Sequence, residues 1–147
     1  MTGDEMLARL ERIDLTELTA FALELKEVEV IRLQQGQLSS GFDAAGKRLA
    51  RYRSGDYAEQ KNRQNPAPGF GNPDLNLTGA FYRGMFLTTT GEQYTLLSTD
   101  PKTEALVAKY GELVFGFTED NKVVVWNDLL QPVVVQSISQ STGLPVR

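Results

Sequence analysis

A chain of 147 residues with a formal charge of -4 and neither cysteine nor histidine is the size of one domain with one modest core. The missing residue types exclude disulfides, thiolate and imidazole metal sites, and hydrolases built on Ser–His or Cys–His pairs. Carboxylate chemistry is what remains, as in a glycosidase pair or a magnesium site, and no arrangement of Asp and Glu along the chain calls for either.

From Asp4 to about Val30, Leu7, Leu10, Leu18, Phe21, Leu25 and Val28 recur three or four apart, which predicts an amphipathic helix. Asp14 and Glu17 have capping-box spacing, so a short helix should break at Ile13-Asp14 and a longer one follow. Val28-Glu29-Val30-Ile31-Arg32-Leu33 then alternates with period two and fits helix or strand. Gly36, Gly41, Asp43 and Gly46 interrupt the next stretch, where Phe42 to Lys47 reads as a turn between two short extended pieces. Residues 51–63 are polar apart from Tyr52 and Tyr57 and predict an exposed helix after Ser54-Gly55-Asp56. Residues 64–77 hold Pro66, Pro68, Gly69, Gly71 and Pro73 and predict an exposed loop or arm.

Thr78 to Asp100 is the clearest β region. Phe81 to Thr88 and Gln93 to Ser98 are predicted strands joined at Thr90-Gly91-Glu92. Asp100-Pro101 should open a short helix through Leu106, Val107 and Tyr110 that Gly111 ends. Leu113 to Phe117 fits a strand or an extended loop, and Thr118-Glu119-Asp120 supplies an N-cap. Val123-Val124-Val125-Trp126 has strand propensity. The spacing of Val124, Leu129, Val133, Val134 and Ile138 favours a helix over residues 119–141, kinked or restarted at Pro132. The expected fold is α+β in a single domain, residues 1–147, with a small antiparallel sheet packed with an N-terminal amphipathic helix and a C-terminal helix.

Charge is unevenly distributed. Residues 1–30 carry eight acids against three bases, and residues 31–63 carry seven bases against three acids. The acidic start, Met1-Thr2-Gly3-Asp4-Glu5, and the lack of a long apolar run predict a soluble, non-exported chain that makes no membrane contact. Gly69-Phe70-Gly71 lacks the spacing and the Gly-Lys-Ser/Thr of a phosphate loop and reads as a plain turn. Glu119-Asp120 and Glu27/Glu29 read as a helix start and a solvated face rather than acid pairs. The basic segment 47–63, in which Lys47, Arg48, Arg51, Arg53, Lys61 and Arg63 interleave with Tyr52 and Tyr57, has three readings. It is a solvated face, a surface pairing with an acidic face of a neighbouring subunit, or a nucleic-acid contact. Phe81, Tyr82, Met85 and Phe86 read as core, and Trp126 as a core edge or an interface centre.

Leu75-Asn76-Leu77-Thr78-Gly79-Ala80-Phe81-Tyr82-Arg83-Gly84-Met85 resembles the hallmark of the head-tail connector or tail-completion proteins of tailed phages and prophages. There a Thr-Gly pair, a hydrophobe, an Arg or Asn and a second hydrophobe open the central sheet. Ala108-Lys109-Tyr110-Gly111 and Leu129-Leu130-Gln131-Pro132-Val133-Val134 follow in the order of that family, although its terminal helix is more aromatic. Gln37-Leu38, Gly41, Asp43, Gly46, Tyr52 and Tyr57-Ala58-Glu59-Gln60-Lys61 are similar to versions from phages of Bacteroides-type bacteria, so the resemblance spans roughly residues 30–140.

The resemblance implies a non-enzymatic virion subunit, made in the bacterial host cytoplasm, that forms a homo-oligomeric ring at the neck. Its partners would be portal, adaptor or tail-tube proteins, with no catalytic residues, cofactor or metal. The residues expected at its interfaces are Lys47, Arg48, Arg51, Arg53, Tyr57, Phe70 and Trp126, with the Pro/Gly arm reaching onto a neighbour. Reversing Arg48, Arg51 and Arg53 to Glu should then abolish assembly and leave the fold intact. The alternative is a small cytosolic nucleic-acid-binding or regulatory module that uses residues 47–63.

Overall fold

The computed structural model describes residues 2–76, 78–90 and 92–145. The acidic N-terminal region forms three consecutive helices: α1 (Gly3–Glu11), α2 (Leu15–Leu25) and α3 (Glu27–Ser39). The break at Asp14 lies where the sequence placed it, and its carboxylate accepts the Glu17 N–H at 3.2 Å. Thr2 and Glu5 supply a reciprocal capping box for α1. The ambiguous Val28 to Leu33 stretch is helical because α3 buries Val30, Gln34, Gln37 and Leu38 along one stripe. Two of those four are glutamines, so an apolar pattern alone shows only half the stripe.

α3 ties together two apolar clusters. One holds Ala22, Leu23, Val30, Val125, Leu130 and Val134, with Leu87 and Phe117 against it. The other holds Leu38, Leu49, Leu75, Phe81, Met85 and Val114, with Tyr82, Leu106 and Tyr110 against it. Val30 and Leu38 thus belong to different clusters, roughly 12 Å apart along the helix axis.

Between the clusters, Gln34 and Gln37 do for the segment 114–118 what a neighbouring strand would do. Gln34 donates to Val114 O and accepts the Gly116 N–H. Gln37 donates to Gly116 O and accepts the Thr118 N–H and the Asn121 side-chain amide. The segment begins in a single 3-10 turn (Glu112–Val114) and continues extended, its backbone satisfied by side chains rather than a ladder.

The predicted turn at 42–47 is present. Phe42 bridges Arg48 antiparallel, and the Asp43 carboxylate accepts from the Ala45 and Lys47 N–H groups. Helix α4 (Gly55–Gln64), capped by Ser54, lies in the polar segment where the sequence predicts a helix after Ser54-Gly55-Asp56, but it buries Ala58 and Lys61 instead of being wholly exposed. The hairpin is β1 (Met85–Thr90) and β2 (Gln93–Ser98), antiparallel, with Leu87 opposite Leu96; Gly91 of its connection lies outside the described residues.

The predicted first strand starts too early. Ala80–Arg83 is a helical turn, α5, entered through Gly79 in the left-handed region and left at Gly84. Gly84 permits the close approach that turns the chain into β1, because a Cβ there would stand 2.7 Å from both the Ser98 and Thr99 hydroxyl oxygens.

Helix α6 (Thr103–Tyr110) follows Asp100, whose carboxylate accepts the Lys102 N–H, and ends at Gly111. Thr118 caps α7 (Glu119–Val124). α7 runs through a π-helical stretch, Val125–Leu130, into α8 (Gln131–Thr142). The Gln131 N–H bonds five residues back to Trp126 O. That wider turn lets the helix pass Pro132, which has no N–H and whose ring would crowd a normal turn. Helix is therefore the outcome at Val123 to Trp126, and the architecture is α+β.

Residues 64–76 are not an exposed arm. Pro68 and Pro73 are fully buried, and Asp74 and Leu75 are buried beside them. Gly41, at φ 87°, packs so closely on Pro68 that a Cβ would lie 2.9 Å from the proline ring. The composition does bar helix and strand, but buried prolines need neither; their neighbours supply the contacts. Leu77 lies outside the described residues.

Candidate functional site

Asp74 organises one side of the molecule. Its carboxylate pairs with Lys61 Nζ at 2.9 Å, with both side chains almost wholly buried. It also accepts from the Asn65 amide and the Asn76 N–H, both at 3.0 Å. Lys61 donates in addition to Asn76 O at 2.6 Å, and the Tyr82 hydroxyl donates to Asp74 O. The ion pair thus pins α4 to the proline loop, and the Tyr82 hydroxyl ties α5 to the same loop.

Burial, reinforced by the negative charge of Asp74, pushes the Tyr52 and Tyr82 phenols well above the ordinary tyrosine range. A phenol harder to ionise folded than unfolded holds extra protons in the native state, so its contribution is complete below pH about 10 and is lost as pH rises further. Denaturant titrations across alkaline pH should show stability falling above that point, and Tyr82→Phe should make the fall shallower. An equal slope in the variant would contradict the assignment.

Against this braced wall lies a pocket of about 320 Å³ between α4, α5 and α6. Tyr52, Tyr57, Phe81 and Tyr110 supply aromatic surface, with Leu75 and Leu106 below them. Tyr52 and Tyr57 pack edge to face, their ring centroids 4.9 Å apart. Arg53, Lys102 and Lys109 are exposed around the pocket, with Asp100 the acid among them. An apolar, aromatic cavity rimmed by cations suits an apolar group that carries negative charge beside it.

The structure divides the sequence-predicted interface residues. Arg53 and Tyr57 line the pocket. Arg48 instead donates to Pro68 O and lies 4.8 Å from the Phe42 ring centroid. Arg51 donates to Phe70 O at 2.9 Å. These two guanidinium groups brace the proline loop, so reversing them to Glu would damage the fold rather than leave it intact. Lys47 is exposed in the 42–47 turn, and the Phe70 side chain is exposed at the loop tip. Trp126, 44% exposed, sits in the π-helical stretch, which contributes nothing to the pocket lining. Sequence reading missed Lys102, Lys109 and Tyr110, which α6 brings to the basic segment from some fifty residues away.

A second concavity, about 880 Å³ and mostly apolar, runs beside β2 and is walled by Leu23, Leu87, Leu96, Val107, Phe117 and Leu130. Apolar surface left open on this scale is a contact feature in folded domains. Among the described residues no group of three or more Asp or Glu side chains could hold a metal ion, and no helix is long and apolar enough to cross a membrane. No protein-family model matches the sequence, and neither curated proteins nor solved structures give a match.

Proposed function

We propose that this chain is a non-enzymatic structural subunit of a phage head-tail connector, acting through contacts that join identical subunits into a ring at the neck. Alongside the resemblance at residues 75–85, the observation that carries this reading is the separation of acidic and basic side chains on the surface of the fold. Asp4, Glu11, Asp14, Glu17, Glu24 and Glu29 are exposed on the N-terminal helices, whereas Arg53, Lys102 and Lys109 surround the aromatic pocket. Two unlike, complementary surfaces on one chain favour head-to-tail contacts, which close into rings when the rotation between subunits allows. Portal, adaptor or tail-tube proteins are the partners such a ring would meet above and below.

A nucleic-acid module is the weaker reading. The rings of Tyr52 and Tyr57 pack on each other instead of offering parallel faces to successive bases. The test is complementation of a producing phage with an Arg53→Glu/Lys109→Glu chain. Separate heads and tails in electron micrographs, with the melting temperature of the variant unchanged, is the expected result. Normal virion yield would count against a role for this surface in the neck.

A further inference from the structure

The outer face of α2 carries an apolar ridge that the fold covers only in part: Phe21 is 50% exposed and Leu25, one turn on, is 59% exposed. Glu17 and Glu24, four residues before and three after Phe21, are exposed on the same side of the helix. Phe21 stands between two grooves, one shared with Glu27, Leu87 and Thr89, the other with Arg9, Arg12, Ile13 and Ser141. It therefore projects as a knob rather than lying flat. An exposed aromatic with an adjoining leucine and flanking carboxylates is a costly arrangement for a surface that faces only water.

The pocket between α4, α5 and α6 has the opposite properties in each respect. It is concave where α2 is convex, aromatic and leucine-lined where a phenyl and an isobutyl group would enter, and rimmed by three cations, Arg53, Lys102 and Lys109, against one acid, Asp100, where carboxylates would stand. Its volume of about 320 Å³ lies at the small end of ligand pockets, the scale of one or two side chains rather than a large cofactor. Knob and pocket share no residue. The pocket draws Leu75 and Phe81 from one apolar cluster, while α2 buries Ala22 and Leu23 in the other.

We propose that the occupant of the pocket is the Phe21–Leu25 ridge of a second copy of this chain, with Glu17 and Glu24 paired to the basic rim. Because donor and acceptor surfaces differ, each copy uses one of each, and the contact propagates around a ring instead of stopping at a dimer. The inference rests on the connector reading and specifies the contact that the reading needs. It also assigns the aromatic anchor and the charged rim their usual division of labour, the anchor setting how long the contact lasts and the rim setting its register.

The absence of cysteine makes cross-linking unambiguous. Chains carrying Glu17→Cys alone are mixed with chains carrying Lys109→Cys alone and treated with a short bismaleimide. Covalent mixed dimers should form, neither chain alone should cross-link, and a chain with both substitutions should give a ladder ending at a closed species. Phe21→Ala, at a half-exposed site, should weaken self-association about thirtyfold, the scale expected for an aromatic anchor, while the isolated chain keeps a cooperative thermal melt. A chain that is found in virions but forms no mixed dimer and is indifferent to Phe21→Ala overturns this contact and leaves the connector reading standing. A chain that cross-links as expected but occurs in no particle supports the contact and overturns that reading.

Discussion

Replacing Lys61 by Met should cost about 3–5 kcal/mol of folding stability, the penalty for leaving a buried carboxylate without its counter-charge. Lys61 and Asp74 are both almost fully buried, and the ammonium holds Asp74 Oδ1 and Asn76 O together. Methionine matches the aliphatic stem, so the loss is electrostatic. The Asn65 amide and Asn76 N–H would remain on Asp74, but hydrogen bonds alone do not neutralise it. Combining Lys61→Met with Asp74→Leu should restore part of the loss, because removing both charges removes the uncompensated one. Chemical denaturation of the two variants tests this directly. If Lys61→Met costs no more than an exposed substitution, the pair does not hold α4 to the proline loop.

The second large effect belongs to Gln34. Its side chain both donates to Val114 O and accepts from the Gly116 N–H, so Gln34→Leu leaves a buried carbonyl and a half-buried N–H unpaired. At about 1–3 kcal/mol for each unsatisfied group, the variant should lose about 2–6 kcal/mol. The loss should be local before it is global. Amide exchange at Gly116 and Thr118 should accelerate ahead of exchange in β1 and β2, because Gln34 and Gln37 hold the 114–118 segment to α3 without a ladder. Uniform exchange across the molecule would mean that the segment is held by the apolar clusters and that the glutamines are incidental.

These two sites also show what a single sequence conceals. Breaks and caps were legible where the signal is local: Asp14, Gly111 and Thr118 each stand at a helix terminus. The hairpin was legible from its β-rich runs, although α5 displaced its start, since a helical turn of Ala80–Arg83 reads as strand by composition. α3 was obscured because Gln34 and Gln37 occupy buried positions that a hydrophobic pattern counts as polar. The proline loop was legible as a loop but not its partial burial, because composition reports what backbone a segment refuses, not whether neighbours such as Gly41, Arg48 and Arg51 cover it. Of the pocket, only Arg53 and Tyr57 were anticipated as interface residues. The remaining cations come from α6, and no spacing rule links Lys102 and Lys109 to a segment so far upstream.

The connector reading predicts where this chain is found and in what number. Quantitative mass spectrometry of particles purified from a producing lysate should detect it at a fixed low multiple per virion, as a ring at a single neck requires. Its presence only in the particle-free fraction of that lysate would contradict the account.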